Sequence, residues 1–380
     1  MNKLRFWLIL TLLWILFAQI ALATQHTSIT LDEPLHITSG YACLLTGDYR
    51  LVEEHPPLLK MLQAAPLLLA DPPLPDPRTV PGWDEANLIE AAQHVVVPYR
   101  PIEPLVFAAR VPTMLIAILL AALVFRWTTD AFGKQAALLA LFLLTFDPNI
   151  LAHAGVAATD LGATCAIFAA TYTFWRWLRQ LDGPSRSRAI LAGAVLGLAL
   201  GVKSTTLMLG PIFISLLLFG RPPEKPLWPY IRQATGIATL ALLTLWASYR
   251  FEIGTLPGID FPIPLASHLK PLLKLQTHMR EGHSAFLMGQ NYHHGDWRYF
   301  PLALLLKTPL LTLGLLAGAT LRGIITGLHP AREENQKGIL SSTFLRLTLY
   351  TLRSPLLLFP LFYFGVSLSS GINIGYRHLL

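Results

Sequence analysis

Residues 104–127, PLVFAARVPTMLIAILLAALVFRW, form an apolar run in which Arg110 and Arg126 are the charged residues. A helix needs roughly 20 such residues to cross the hydrocarbon core of a bilayer. Of the 380 residues in the chain, 53% are hydrophobic and 13% are charged, a composition that does not suit a soluble domain with a water-facing shell. Because the backbone must satisfy its own hydrogen bonds in lipid, we predict an all-α polytopic membrane protein.

About nine apolar segments of this kind are predicted to cross the membrane, within a single transmembrane domain of residues 1–380. They cover residues 6–23, 104–127, 135–151, 161–178, 189–202, 205–220, 233–249, 301–321 and 355–370. Lys3 and Arg5 precede the first segment, so the positive-inside rule predicts a cytoplasmic N-terminus. Residues 21–23, Ala-Leu-Ala, also resemble a signal-peptidase site, so a cleaved signal peptide and an anchor both remain open. Either alternative places the chain from residue 24 onward outside.

This orientation predicts two long outer loops, residues 24–103 and 250–300, and leaves most acidic residues and histidines on the outer side. The apolar stretches 35–45 and 57–70 are too short to span and are predicted to be amphipathic helices in the membrane interface. The basic residues of the cytoplasmic loops follow from topology, so the net charge of +7 does not indicate a nucleic-acid partner. Cys43 and Cys165 form no metal-binding motif and are interpreted as packing residues.

The acidic residues Asp32 and Glu33 follow the first segment. Asp32 is placed to cap a short helix whose first turn contains Pro34, or to act as a general base. Asp160 opens a later segment after the polar loop that contains His153, and capping is again the simpler alternative. Together Asp32 and Asp160 would form a carboxylate pair suited to acid/base catalysis or to metal binding.

A second polar element precedes the apolar stretch 57–70, in the sequence Glu54-His55-Pro56-Pro57-Leu58-Leu59-Lys60. It is either a polar helix start with a snorkelling lysine or part of a pocket lined by Glu54, His55 and Lys60. In the second case Glu54, His55 and Asp160 are candidate ligands of a divalent cation. No cofactor is predicted with certainty.

Cations supply a third element. Lys203, Arg377 and His378, together with Arg110, are candidates for binding a phosphate at the membrane surface, with snorkelling to lipid head groups as the alternative. Trp297 lies in the segment 289–301, whose aromatic and amide groups suit sugar stacking, although an interfacial aromatic belt explains them equally well.

The order of these motifs resembles that of the GT-C membrane glycosyltransferases. The motifs are the acidic pair Asp32-Glu33, the Glu54-His55-Pro56-Pro57-Leu58 sequence, the Asp147-to-Asp160 hairpin, the Gly295-to-Pro301 segment and Gly375-Tyr376-Arg377-His378. More narrowly, the chain looks like the branch of dolichyl-phosphate-mannose protein mannosyltransferases and the bacterial lipid A aminoarabinose transferase. The resemblance covers essentially the whole chain, and it rests on the shared order of motifs.

The resemblance implies a bundle of GT-C type that takes a hexosyl or pentosyl group from a polyprenyl-phosphate carrier. The acceptor would be a protein, lipid or glycan on the outer side of, we expect, a bacterial inner membrane. Asp32, with Glu33 beside it, matches the acidic residue that acts as base, and Asp160 matches the second acid. Arg377 and His378 match residues near the carrier phosphate, and Glu54 and His55 match residues near the pocket or a metal.

Relatives usually continue through further segments, so a fragment or truncated paralogue and a complete chain both remain open. A transporter or flippase for a lipid-linked or anionic substrate remains the alternative function, although its ionisable groups would be expected near the bilayer midplane. A membrane metallohydrolase would need a dense ligand motif such as His-Glu-x-x-His, which the sequence lacks.

Overall fold

A computed structural model describes residues 3–180, 185–282, 284–328, 351–369, 371 and 373, and most of them are helical. The helices are α1 (Lys3–Thr24), α2 (Glu33–Thr46), α3 (Leu58–Ala70), α4 (Leu88–Val95), α5 (Ile102–Phe132), α6 (Lys134–Thr145), α7 (Pro148–Ala154), α8 (Asp160–Leu178), α9 (Arg186–Leu200), α10 (Leu209–Phe219), α11 (Leu227–Ser248), α12 (Ala266–Glu281), α13 (Tyr299–Lys307), α14 (Leu310–Leu328) and α15 (Pro355–Leu368). The strands are β1 (Ile253–Leu256), β2 (Ile259–Pro264), β3 (Ala285–Leu287) and β4 (Gln290–Tyr292).

The helices α1 and α5 are long and apolar enough to cross a membrane on their own. Two bent pairs each reach that length together: α6 with α7, bent by 60°, and α13 with the Leu310–Arg322 part of α14, bent by 112°. Length and hydropathy therefore support two to four crossings in the described part of the chain. Each predicted apolar segment coincides with helix, which fits a helical membrane protein, while the count of about nine crossings stays a prediction.

The first predicted outer loop folds into three helices, α2, α3 and α4. Helices α2 and α3 pack on each other and on α5 through a shared apolar cluster that includes Ile37, Tyr41, Leu67 and Val106. Gly40 brings the two helices so close that a Cβ at this position would collide with the Lys60 carbonyl. Helix α2 is therefore buried along most of its length, which was not predicted for a helix lying in the membrane interface.

The second predicted outer loop contains strands, so the all-α prediction is corrected here. Strand β1 pairs antiparallel with β2, and β3 pairs antiparallel with β4, each pair forming a two-stranded sheet. The first hairpin turns at Pro257-Gly258, where Gly258 has a φ of 81° that a type II turn requires at its third residue. Short hairpins with Pro and Gly turns carry a weaker sequence signal than a helix, which explains the missed strands.

The helical core has two main clusters. One joins α1, α5, α6 and α8 through residues such as Leu16, Met114, Leu141 and Leu161. The other joins α8, α9, α10, α11 and α15 around a stacked pair, Phe174 and Phe213, whose ring centroids are 4.0 Å apart. Helix α8 belongs to both clusters and begins at Asp160, so the packing of the core fixes the position of this carboxylate.

Candidate functional site

A buried ion pair joins the start of α8 to the turn that follows α9. The Lys203 ammonium donates to Asp160 Oδ1 at 2.5 Å, and both side chains are less than a tenth exposed. Asp160 lies in the first turn of α8, where the positive end of the helix dipole favours a carboxylate. The N-cap of α8 is Thr159, so the capping alternative proposed for Asp160 does not apply.

The polar segment 53–60 packs against this turn. The Leu58 amide donates to the Gly201 carbonyl at 3.1 Å, and the Ser204 hydroxyl donates to the Glu54 carbonyl at 3.0 Å. Lys60 is buried, and its ammonium lies 3.4 Å from the Glu53 carbonyl. These contacts hold the segment of His55 and Lys60 against the turn that carries Lys203.

Helix α2 adds His36 to the same group of charges. The charges of Lys60, Asp32, Asp160 and Lys203 all act on the His36 imidazole. Burial, followed by the Lys60 charge, lowers the pKa of His36 to about 3 against the opposing effect of the two aspartates. Sequence reasoning did not single out His36, although a helix that begins at Glu33 places it one turn after Asp32.

His55 and Lys60 are shifted by the same environment. Burial, followed by the charges of Lys203 and Lys60, lowers the pKa of His55 well below its ordinary value, so this imidazole is neutral at pH 7. Its Nδ1 atom is buried without a hydrogen-bond partner among the described residues. Burial also lowers the pKa of Lys60 to about 8, against the raising effect of Cys43, Glu53 and Glu54.

Asp32 lies immediately before α2 with helical backbone angles, φ −81° and ψ −25°, and its side chain makes no capping hydrogen bond to the helix. The capping alternative is therefore not observed, while Pro34 occupies the first turn as predicted. Asp32 is half-buried, and its charge reaches His36, which places it at the edge of the same polar group.

Glu33 points to a different partner, Arg110 of α5. The guanidinium donates to both carboxylate oxygens, at 2.6 Å and 2.7 Å, and the backbone amides of Thr30 and Ala157 donate to the same two oxygens. Burial raises the pKa of Glu33, but these hydrogen bonds lower it by a larger amount, so the net pKa is below the ordinary value. With two hydrogen bonds accepted by each oxygen, Glu33 is suited to structural support, whereas it was predicted as a catalytic residue beside Asp32.

Arg110 forms further hydrogen bonds within the protein. Its remaining donors bind the carbonyl oxygens of Thr24, Thr27 and Ser28 and the Thr27 hydroxyl. All three guanidinium nitrogens are engaged, so Arg110 does not fit the phosphate-binding role that its position in the sequence suggested.

The remaining predicted residues are less closely defined. His153 lies on α7, which Asp147 caps through the Asn149 and Ile150 amides, and Trp297 is 65% exposed. Their roles in the pocket stay predictions. Arg377 and His378 lie outside the described residues. Among the side chains that the structure describes, no three His, Cys, Asp or Glu residues are grouped closely enough to hold a metal ion. The divalent cation predicted at Glu54, His55 and Asp160 likewise stays a prediction.

Part of the sequence matches the model of a known protein family. Residues 104–247, from α5 to α11, match a family model described as dolichyl-phosphate-mannose-protein mannosyltransferase. The match includes Asp160, Lys203 and His153, whereas Asp32 and the 53–60 segment precede it. No curated protein and no solved structure matches the chain. The family match confirms the resemblance to GT-C mannosyltransferases over residues 104–247.

Proposed function

We propose that the protein transfers a sugar from a polyprenyl-phosphate carrier to a protein, lipid or glycan acceptor on the outer face of the membrane. The observation that carries this proposal is the convergence of Asp32, Lys60, Asp160 and Lys203, which come from four separate parts of the chain, into one polar site. The family match over residues 104–247 supports transfer from a lipid-linked sugar in general terms. Whether the sugar is a hexose or a pentose is open in this proposal.

The reaction requires a base to deprotonate the acceptor and cations to stabilise the leaving phosphate. Asp32 accepts the proton of the acceptor hydroxyl or amine as the acceptor atom bonds to the anomeric carbon. The bond from that carbon to the phosphate oxygen breaks, and the leaving polyprenyl phosphate gains a negative charge. Lys203 and Lys60 stabilise this charge, and their burial strengthens the effect because little water screens it. A nucleophilic water or hydroxide would give hydrolysis instead, so the pocket must exclude water.

Asp160 holds Lys203 in place. A buried lysine without a partner would be costly, and the 2.5 Å contact with Asp160 fixes the position of the Lys203 ammonium. The neutral imidazoles of His36 and His55 add hydrogen-bonding groups without adding charge. In the same proposal Arg377 and His378 complete the phosphate site, as the resemblance implies, and Glu54, His153 and Trp297 line the sugar or acceptor pocket.

The test uses purified protein in liposomes supplied with a labelled polyprenyl-phosphate sugar. Mannose is the first sugar to try, and mass spectrometry of glycans and glycolipids from cells with and without the protein identifies the acceptor. We expect Asp32→Asn to lower the transfer rate by about 100-fold or more, the effect of losing a general base. Asp160→Asn should have a comparable effect by releasing Lys203.

The control variant is Asp84→Asn, an exposed acid in the same predicted outer loop. It should transfer at the wild-type rate, and all three variants should elute as folded protein. Wild-type transfer by a folded Asp32→Asn protein would remove Asp32 as the base.

A transporter or flippase is kept as a second candidate because of the two bent helix pairs. The Asn149 amide, at the start of α7, donates to the Lys307 carbonyl, at the end of α13, at 3.0 Å, so the two breaks are in contact. Discontinuous helices of this kind are typical of transporter binding sites. In the same liposomes a flippase would move the intact carrier between leaflets, whereas a transferase would consume its sugar.

A further inference from the structure

A groove of about 330 Å³ runs between the amino-terminal parts of α9 and α11, far from the polar site. Arg186 and Ile190 line it from α9, and Arg232, Gly236 and Leu240 line it from α11. Lys203 lies beyond the opposite end of α9, about 20 Å away along the helix axis. The groove is therefore separate from the proposed transfer site and does not depend on it.

Close packing deeper along the same two helices defines where the groove stops. A Cβ at Gly193 would meet the Ile237 carbonyl at 3.0 Å, and one at Gly197 would collide with the Ala241 carbonyl. Gly236 differs, because a Cβ there would meet nothing within 4 Å. The helices thus touch at Gly193 and Gly197, and the surface over Gly236 is open.

The charges at the mouth of the groove are all positive. Arg186 and Arg232 are exposed, and the side chains that line this groove include no carboxylate. A neighbouring groove of about 290 Å³ adds Arg126, Arg176, Arg179 and Arg188 around one acid, Asp130. Asp130 already accepts a hydrogen bond from Tyr172 at 2.6 Å and pairs with Arg126 at 3.4 Å. The residues that line the two grooves therefore carry more guanidinium groups than carboxylates.

We propose that this groove binds an anionic phospholipid. The lipid phosphate lies between Arg186 and Arg232, which provide N–H donors from two different helices. One acyl chain follows the apolar floor from Gly236 to Leu240, and the distance from Arg232 to Leu240 along α11 is about 12 Å. The predicted orientation places this lipid in the cytoplasmic leaflet, whose anionic surface attracts basic groups. Simple snorkelling explains single arginines, but it does not explain an open apolar floor that joins two of them.

The experiment measures lipid retention by native mass spectrometry. Delipidated protein is incubated with phosphatidylglycerol or with phosphatidylcholine of the same acyl chains, and a third sample contains inorganic phosphate as competitor. We expect the wild type to retain phosphatidylglycerol over phosphatidylcholine by about tenfold. The double variant Arg186→Gln/Arg232→Gln should lose this preference, and Gly236→Leu should reduce retention of phosphatidylglycerol by filling the floor.

Two matched controls separate the groove from general effects. Lys134→Gln removes an exposed positive charge that is also predicted to be cytoplasmic, and Gly210→Leu adds the same side chain at another open helix position. Both should bind lipid as the wild type does. Equal retention of the two lipids by the wild type, or unchanged retention in either groove variant, would overturn the proposal. Full displacement by inorganic phosphate would reduce the site to an anion site and would also contradict it.

Discussion

The cations of two buried ion pairs, Glu33–Arg110 and Asp160–Lys203, differ in how many of their hydrogen-bond donors are used. The Arg110 guanidinium is satisfied on all three nitrogens by Glu33 and by three backbone carbonyls. Among the described residues, the Lys203 ammonium has one bonded partner, Asp160, out of the three that its donors allow. The first pair is therefore suited to fixing the fold, and the second keeps the donor capacity that a phosphate would use.

Removal of one member of the Glu33–Arg110 pair tests the structural role. We expect Glu33→Gln or Arg110→Gln to destabilise the protein by about 3–5 kcal/mol. The first variant leaves the buried Arg110 charge without its counter-ion. The second leaves the Glu33 charge uncompensated and the backbone carbonyls that Arg110 binds without a donor. Thermal unfolding in detergent measures the loss. Arg78→Gln is the control, since its pair with Asp76 is exposed to water and should contribute little to stability. Equal small effects in all three variants would contradict the structural role.

The same pair predicts a pH dependence of stability. The pKa of Glu33 is lower in the folded protein than its ordinary value, so its contribution is fully present above that ordinary value. The contribution is lost as the pH falls from about 4.5 through the lower folded pKa, where Glu33 becomes protonated. The unfolding temperature of the wild type should therefore fall as the pH is lowered through this range. In Glu33→Gln this fall should be smaller, as thermal unfolding over the same pH range will measure.

Lys60 offers a pH test of the transfer site. Burial lowers its pKa to about 8, so Lys60 carries its charge below that pH and loses it above. If the charge stabilises the leaving phosphate, the transfer rate of the wild type should fall as the pH rises through about 8. In Lys60→Arg the guanidinium stays charged, so this alkaline decline should disappear. The same decline in an active Lys60→Arg protein would assign it to another group.

At the scale of the elements, the approach of α2 to α3 controls where His36 and Lys60 lie. Gly40→Ala places a methyl group against the Lys60 carbonyl, so the helices must separate and the site must open. We expect a loss of about 1–3 kcal/mol in stability, typical of overpacking, together with loss of transfer. Thermal unfolding and the liposome assay measure both effects.

Gly314→Ala is the matched control for this change. Gly314 lies within α14, and a Cβ there would meet nothing within 4 Å. Alanine should be neutral or stabilising at this exposed helical position, by up to about 1 kcal/mol. If Gly40→Ala behaves in the same way, α2 and α3 do not need their close contact.

The helices were predictable from sequence, and the tertiary pairings were not. Long apolar runs predict helices because lipid leaves the backbone few alternatives, and each of those runs contains helix, whereas α4 and α12 lie outside them. Asp160 and Lys203 were each named as site residues, but they are 43 residues apart and nothing in their local sequence indicates a pair. Arg110 was grouped with the phosphate-binding cations because Glu33, its partner, precedes it by 77 residues.

At the scale of the whole molecule, the orientation in the membrane decides which end performs transfer. The polar site lies at the carboxyl end of α9, and the arginine grooves lie at its amino end. The positive-inside rule predicts that the arginine end is cytoplasmic and that the first long loop is outside. The proposed transfer and the proposed lipid site therefore belong to opposite faces, which one labelling experiment can test.

Cysteine labelling in intact cells provides that test. The native Cys43 and Cys165 are buried, and burial raises the pKa of Cys43 to about 12, so both thiols should react slowly. Asp84→Cys introduces a thiol at a side chain that is 90% exposed in the predicted outer loop, and Arg179→Cys introduces one at the arginine end. We expect a membrane-impermeant maleimide to label position 84 in intact cells and position 179 only after permeabilisation. The reverse pattern would invert the topology and would place the Asp160–Lys203 site on the cytoplasmic face, where the proposed outer-face transfer cannot occur.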